Sequence, residues 1–215
     1  MMISLIPLLT AHCSLLAIIG ALHLEYTAYD KDTKATFWVT VTDYGDSLQM
    51  YSKNDKGLEF TAIMDRKSRL LRLEKFQDGK EKTAETWTGD GYQVRMWGTE
   101  KTATASKPAA DRHTIAFFLA RFPFAEGEER NYSLLVPELF SMVEVNVKCL
   151  GKETVSTPAG DFSAWKLQMK GRGITNLMLL GKRFYLWYDE EGDHLLVKYE
   201  DSDGRGFSLS KRWED

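Results

Sequence analysis

Strict alternation is what most constrains this chain. Val143, Val145, Val147 and Cys149 alternate with Glu144, Asn146 and Lys148. Successive side chains on a strand point to opposite faces, so such a run is a strand with one buried and one wet face. Trp165, Leu167 and Met169 repeat the pattern against Lys166, Gln168 and Lys170. Between the two runs lies Thr157-Pro158-Ala159-Gly160-Asp161. Pro158 sets its own φ and Gly160 is free to take a positive one, which predicts that the chain doubles back antiparallel there. A second hairpin is expected to join residues 184–189 to 195–200 through Glu190-Glu191-Gly192-Asp193, a polar loop of hairpin length.

The first half of the chain reads as a β-meander. Phe37, Val39 and Val41 alternate with Trp38, Thr40 and Thr42, and Leu58, Phe60, Ala62 and Met64 share one face opposite Glu59 and Thr61. Runs at 70–76, 81–87 and 92–97 follow, punctuated by Gln77-Asp78-Gly79-Lys80 and Thr88-Gly89-Asp90-Gly91. Connections this short pair sequence neighbours in an antiparallel sheet. With 215 residues, 43% of them hydrophobic, one β domain over 23–215 can bury a sizeable core without a second domain. A net charge of −3, with Lys and Arg scattered rather than clustered, gives no nucleic-acid footprint.

One segment breaks the period. Ile115, Phe118, Leu119 and Phe122 fall at i, i+3, i+4 and i+7, which predicts a helix over 114–122 that Pro123 ends and Asp111 or Thr114 caps. Its apolar face must cover something, and two readings stand: a core helix plugging the sheet, or a movable lid over a ligand cavity. Residues 1–22 carry no Asp, Glu, Lys or Arg. They are expected to be an export signal or an uncleaved membrane anchor, with membrane contact through this segment, or else a buried helix. His12 is too large a neighbour for Cys13 in a lipid-attachment box, so lipidation is not expected.

The stretch Gly151-Lys152-Glu153-Thr154-Val155-Ser156-Thr157-Pro158-Ala159-Gly160-Asp161-Phe162-Ser163-Ala164, followed by Trp187-Tyr188-Asp189 and Leu196-Val197-Lys198-Tyr199-Glu200, resembles an uncharacterised family of bacterial exported proteins. Members carry a T-P-A-G-x-F motif and a later hairpin in which proline often stands where this chain has Leu196. The resemblance covers mainly the C-terminal half and extends by analogy to the lipoprotein-carrier superfamily. It implies a mainly β fold: a strongly curved antiparallel sheet, an unclosed barrel over a hydrophobic cavity, with one short covering helix. It also implies an exported protein of the periplasm or cell envelope, and it brings no catalytic residues.

The residues themselves announce little chemistry. His12, His23, His113 and His194 share no metal-ligand spacing, so no metal and no cofactor is expected. Cys149 continues the Val143–Val147 series and reads as a small buried hydrophobe; a pair with Cys13 would require the N-terminal segment to stay and pack on the domain. Asp189-Glu190-Glu191-Gly192-Asp193 and Asp201-Ser202-Asp203-Gly204 lack the ligand register of a calcium loop and read as solvated hairpin tips. Nucleophile elbows, phosphate loops and dinucleotide fingerprints are absent from the sequence. Strands such as 184–188 are apolar on both faces, which calls for a second layer or an apolar cavity.

Two functional classes follow, neither an enzyme. One is an exported module that binds a lipid or acyl chain within the curved sheet; the other is a structural or interaction module of the envelope with a filled core. For the first, the expected lining is Ile115, Phe118, Leu119 and Phe122 from the helix with Trp165, Leu167, Tyr185 and Trp187 from the strands.

Overall fold

The computed structural model describes residues 20–31, 33–173, 176 and 181–215. Most of the segment expected to be a signal or anchor therefore lies outside the described residues, Cys13 included, while Gly20, Ala21 and Leu22 already belong to the first strand. The strands of the first half are β1 Gly20–Asp30, β2 Thr33–Asp43, β3 Ser47–Asn54, β4 Leu58–Asp65, β5 Leu70–Gln77, β6 Lys80–Trp87, β7 Gly91–Met96 and β8 Thr99–Thr104. Those of the second are β9 Ala110–Asp111, β10 Glu129–Val136, β11 Ser141–Thr157, β12 Gly160–Gly171, β13 Arg183–Asp189, β14 Leu196–Asp201 and β15 Gly206–Glu214.

All fifteen described strands form one sheet, in the order β8-β7-β6-β5-β4-β3-β2-β1-β15-β14-β13-β12-β11-β10-β9. Two meanders run outward from a central seam where the first and last strands pair, Tyr26 opposite Leu209. Every pair is antiparallel except β9 with β10, where Leu134 lies beside Ala110 in parallel. The sheet curls until β8 packs against β11 and β7 against a 3-10 turn at Pro137–Leu139, yet the β8 and β9 edges do not hydrogen-bond to each other. The expected unclosed, strongly curved sheet is thus present.

The sequence-read hairpins stand where alternation put them. Thr157 pairs with Gly160, whose φ is +130°, so the Pro158-Ala159 turn closes as expected. A bulge between Cys149 and Gly151 changes which residues share a face: Val145, Val147 and Cys149 are buried on one side, whereas Glu153 beyond the bulge joins the other. The helix is shorter than its apolar spacing suggests. It spans Ile115–Leu119, here α1, with Thr114 as N-cap. The Thr114 side chain is occupied with Asp111, whose Oδ1 accepts from both its backbone N–H and its hydroxyl at 2.9 and 2.7 Å. Phe122, beyond the helix end, is still buried. Trp97, expected at the end of a strand, instead has a φ of +54° in the β7–β8 turn and is 71% exposed.

Two apolar clusters fill the curl. One gathers Leu24, Met50, Met64, Leu73, Tyr92 and Val94 from the first meander; the other gathers Ile115, Leu119, Val147, Leu167, Leu186 and Tyr188 around α1 and the second. Phe207 of the central strand packs against both.

Candidate functional site

The position of α1 follows from its composition, Ile-Ala-Phe-Phe-Leu, which offers no polar face to water. Ile115 and Leu119 are buried in the second cluster, while Phe117 packs against the first, so the helix bridges the two halves of the curled sheet. Tyr188 Oη donates to the Ala116 carbonyl at 2.8 Å, the kind of bond a buried phenol needs. Burial raises the Tyr188 pKa well above that of a free tyrosine, which keeps it a neutral donor. Beyond the helix, Phe124 stacks on Trp165 at 6.1 Å and packs against Phe122, Tyr188 and His194, closing one end of the cluster with aromatic rings.

Six of the eight expected lining residues come together here. Ile115, Leu119, Phe122 and Leu167 are buried in this cluster, and the half-buried Phe118 and Trp165 pack against it. Tyr185 and Trp187 do not join them. Leu167 stands opposite Leu186 and Trp165 opposite Tyr188, so Leu186 and Tyr188 share the helix-side face. Tyr185 and Trp187 lie one residue out of step and face the other way, opposite Gln168 and Lys166. There Trp187 donates from Nε1 to Glu153 Oε1 at 2.6 Å and lies between Lys166 and Lys198, whose ammonium groups stand 4.9 and 4.8 Å from its ring. Lysine stems and a carboxylate lie against this tryptophan, which is buried in the first cluster with Val155, Ala164 and Val197 rather than in the one around Ile115 and Leu119.

Cys149 is fully buried, with its thiol pushed up by burial, as befits a core residue rather than a nucleophile. Among the described residues, no three His, Cys, Asp or Glu side chains converge as a metal site would need. At the foot of the helix, His113 Nδ1 lies 2.5 Å from Asp111 Oδ2, and Lys75 Nζ lies 3.3 Å from His113 Nε2. Burial alone would raise the Asp111 carboxyl; the His113 charge and the hydrogen bonds from His113 and Thr114 outweigh it and hold the group below its usual range. This polar knot carried no signal in the sequence beyond the capping role considered for Asp111 and Thr114.

Comparison with one solved structure supports the architecture. A β-barrel-like protein of domain of unknown function DUF1849 from Brucella abortus superposes with a TM-score of 0.55 at 10% identity, over 93% of this chain and 99% of that one. At that identity the likeness concerns the fold alone. The Mycobacterium tuberculosis lipoprotein LppX aligns with a TM-score of 0.27 at 13% identity, covering 91% of this chain and 86% of that one. A LolA superfamily protein from Nitrosomonas europaea aligns with a TM-score of 0.27 at 10% identity, covering 87% and 66%. No curated protein matches the chain. The profile described as "Protein of unknown function (DUF3108)" matches residues 19–209, so the chain belongs to the DUF3108 family.

Proposed function

We propose that this protein is a non-enzymatic module of the bacterial cell envelope that binds a lipid or acyl chain on the helix side of its curved sheet. The observation that carries the reading is α1 itself. A five-residue apolar helix lies between two halves of a sheet whose β8 and β9 edges are not hydrogen-bonded to each other, so the apolar interior has a seam held by packing alone. Displacing so short a helix breaks few backbone hydrogen bonds, and an alkyl chain taking its place would preserve the apolar burial that α1 provides. Ile115, Phe118, Leu119, Phe122, Trp165 and Leu167 are the residues expected to meet the chain.

A filled core with no ligand is the second reading, favoured by the complete burial of Leu119 and Leu167. Mass spectrometry of organic extracts from the protein purified out of a bacterial envelope separates the two. A stoichiometric lipid supports the binding module, and extracts that are consistently empty support the filled core.

A further inference from the structure

Strand β6 presents an unexpected face to the interior. By alternation its small apolar residue, Ala84, would point inward; instead Thr83 and Glu85 are buried, with Glu85 fully enclosed. In register across the sheet, Glu85 stands in the row Ala62, Leu73, Glu85, Val94 and Lys101, and Thr83 in the row Phe60, Lys75, Thr83 and Met96. The segment leading into α1 lies over this face: Ala109 is hydrogen-bonded to Leu70 and Tyr92, and the His113 ring lies 4.9 Å from Phe60. Both Glu85 carboxyl oxygens and the Thr83 hydroxyl have no hydrogen-bond partner among the described residues. Orphaned buried polar atoms are costly, and three side by side on one strand face call for a function.

We propose that Glu85 and Thr83 form a seat for a primary ammonium group carried on an apolar chain. Three orphaned oxygens match the three N–H donors of such a group. Charge points the same way. The charges acting on Glu85 are those of Asp111, Arg112, Glu138 and Lys75; Arg112 pairs with Glu138 at 2.5 Å, Asp111 with His113 at 2.5 Å, and Lys75 lies 3.3 Å from His113 Nε2. An ammonium gains a counter-charge there by ionising Glu85. The buried side chains of Leu73, Val94 and Met96 flank the seat. Glu85 lies two strands in from the free β8 edge, about 10 Å. At that edge the Lys101 ammonium sits 5.2 Å above the Phe140 ring. The seat is on a different wall from the helix-side residues and does not require an acyl chain there.

Burial, with the Asp111 charge adding to it, pushes the Glu85 carboxyl up to about 9, so near neutral pH the free seat holds a protonated acid. Binding then converts Glu85–COOH and R–NH3+ into a carboxylate–ammonium pair and one released proton. Calorimetric titration of the full chain with n-octylamine in buffers of different ionisation enthalpy reads that proton directly. The expected result is a saturable site, close to one proton released per amine, and an affinity rising about tenfold from pH 6 to 7. Glu85→Gln should lose the proton release and weaken binding by at least about tenfold. Thr83→Val should weaken binding while keeping the proton release, and it serves as the test if the Gln variant fails to fold. Absence of amine binding, equal binding by Glu85→Gln, or equal binding of n-octanol without proton release would each overturn the assignment.

Discussion

Leu119→Ala tests whether α1 is a working part of the core. Leu119 is completely buried among Ile115, Leu167, Leu186 and their neighbours. Removing its three outer carbons loses about 2.4 kcal/mol of transfer free energy, and an incompletely collapsed cavity raises the total to about 3 kcal/mol or more. For a domain of this size, 3 kcal/mol corresponds to a fall in Tm of roughly 6 to 12 °C. Calorimetric melting of the full chain and urea titration should agree on the loss, with an unchanged m value showing that the unfolding unit is intact. A loss below about 0.5 kcal/mol, the range of ordinary surface substitutions, would mean that the helix does not hold the two meanders together.

Three further outcomes follow from the same geometry. Gly160→Val should cost about 1 to 3 kcal/mol from backbone strain alone, since nothing lies within 4 Å of the added Cβ while φ is +130°; an unchanged denaturation midpoint would contradict that conformation. Tyr188→Phe should cost about 1 kcal/mol by removing one of the two hydrogen bonds the Ala116 carbonyl accepts, and protection against hydrogen exchange of the Ala120 amide, which donates the other, should fall with it. Glu85 binds a proton in the folded state that it loses in the unfolded chain between about pH 4.5 and 9, so it makes stability fall as pH rises through that window, by at most about 1.4 kcal/mol per unit. The difference in urea stability between wild type and Glu85→Gln should show that slope, and parallel pH profiles would refute it.

The strands whose alternation was clean, β2, β4, β11 and β12, were legible because one face is buried and the other wet. Strands β8 and β10 were not: Thr-Glu-Lys-Thr-Ala-Thr buries Ala103 alone, as a polar edge strand should, and β10 opens with Glu129-Arg130-Asn131. Helix length misled because the apolar spacing runs on to Phe122, although the helix ends at Leu119 with Ala120 as its C-cap and the tighter i→i+3 turn that follows buries that ring. The pairing of Tyr185 and Trp187 with the helix failed for a topological reason. Within β13 the parity of residues 184–188 was plain, but the long connection from β12 leaves open which parity faces the helix, and only the register with Leu167 decides it. The Glu85 seat was hidden because Ala84 and Thr86 look like the inward pair.

Uptake of an alkyl chain on the helix side of the sheet is what we propose above. Titration of the purified, delipidated full chain with a fluorescent fatty acid tests it most directly. Saturable uptake with a Kd near the micromolar range, about −8 kcal/mol, is expected, weakened by Leu119→Trp in a variant that keeps the wild-type circular dichroism spectrum although overpacking lowers its Tm. Emission that rises without saturation, or uptake that Leu119→Trp leaves untouched, would contradict it.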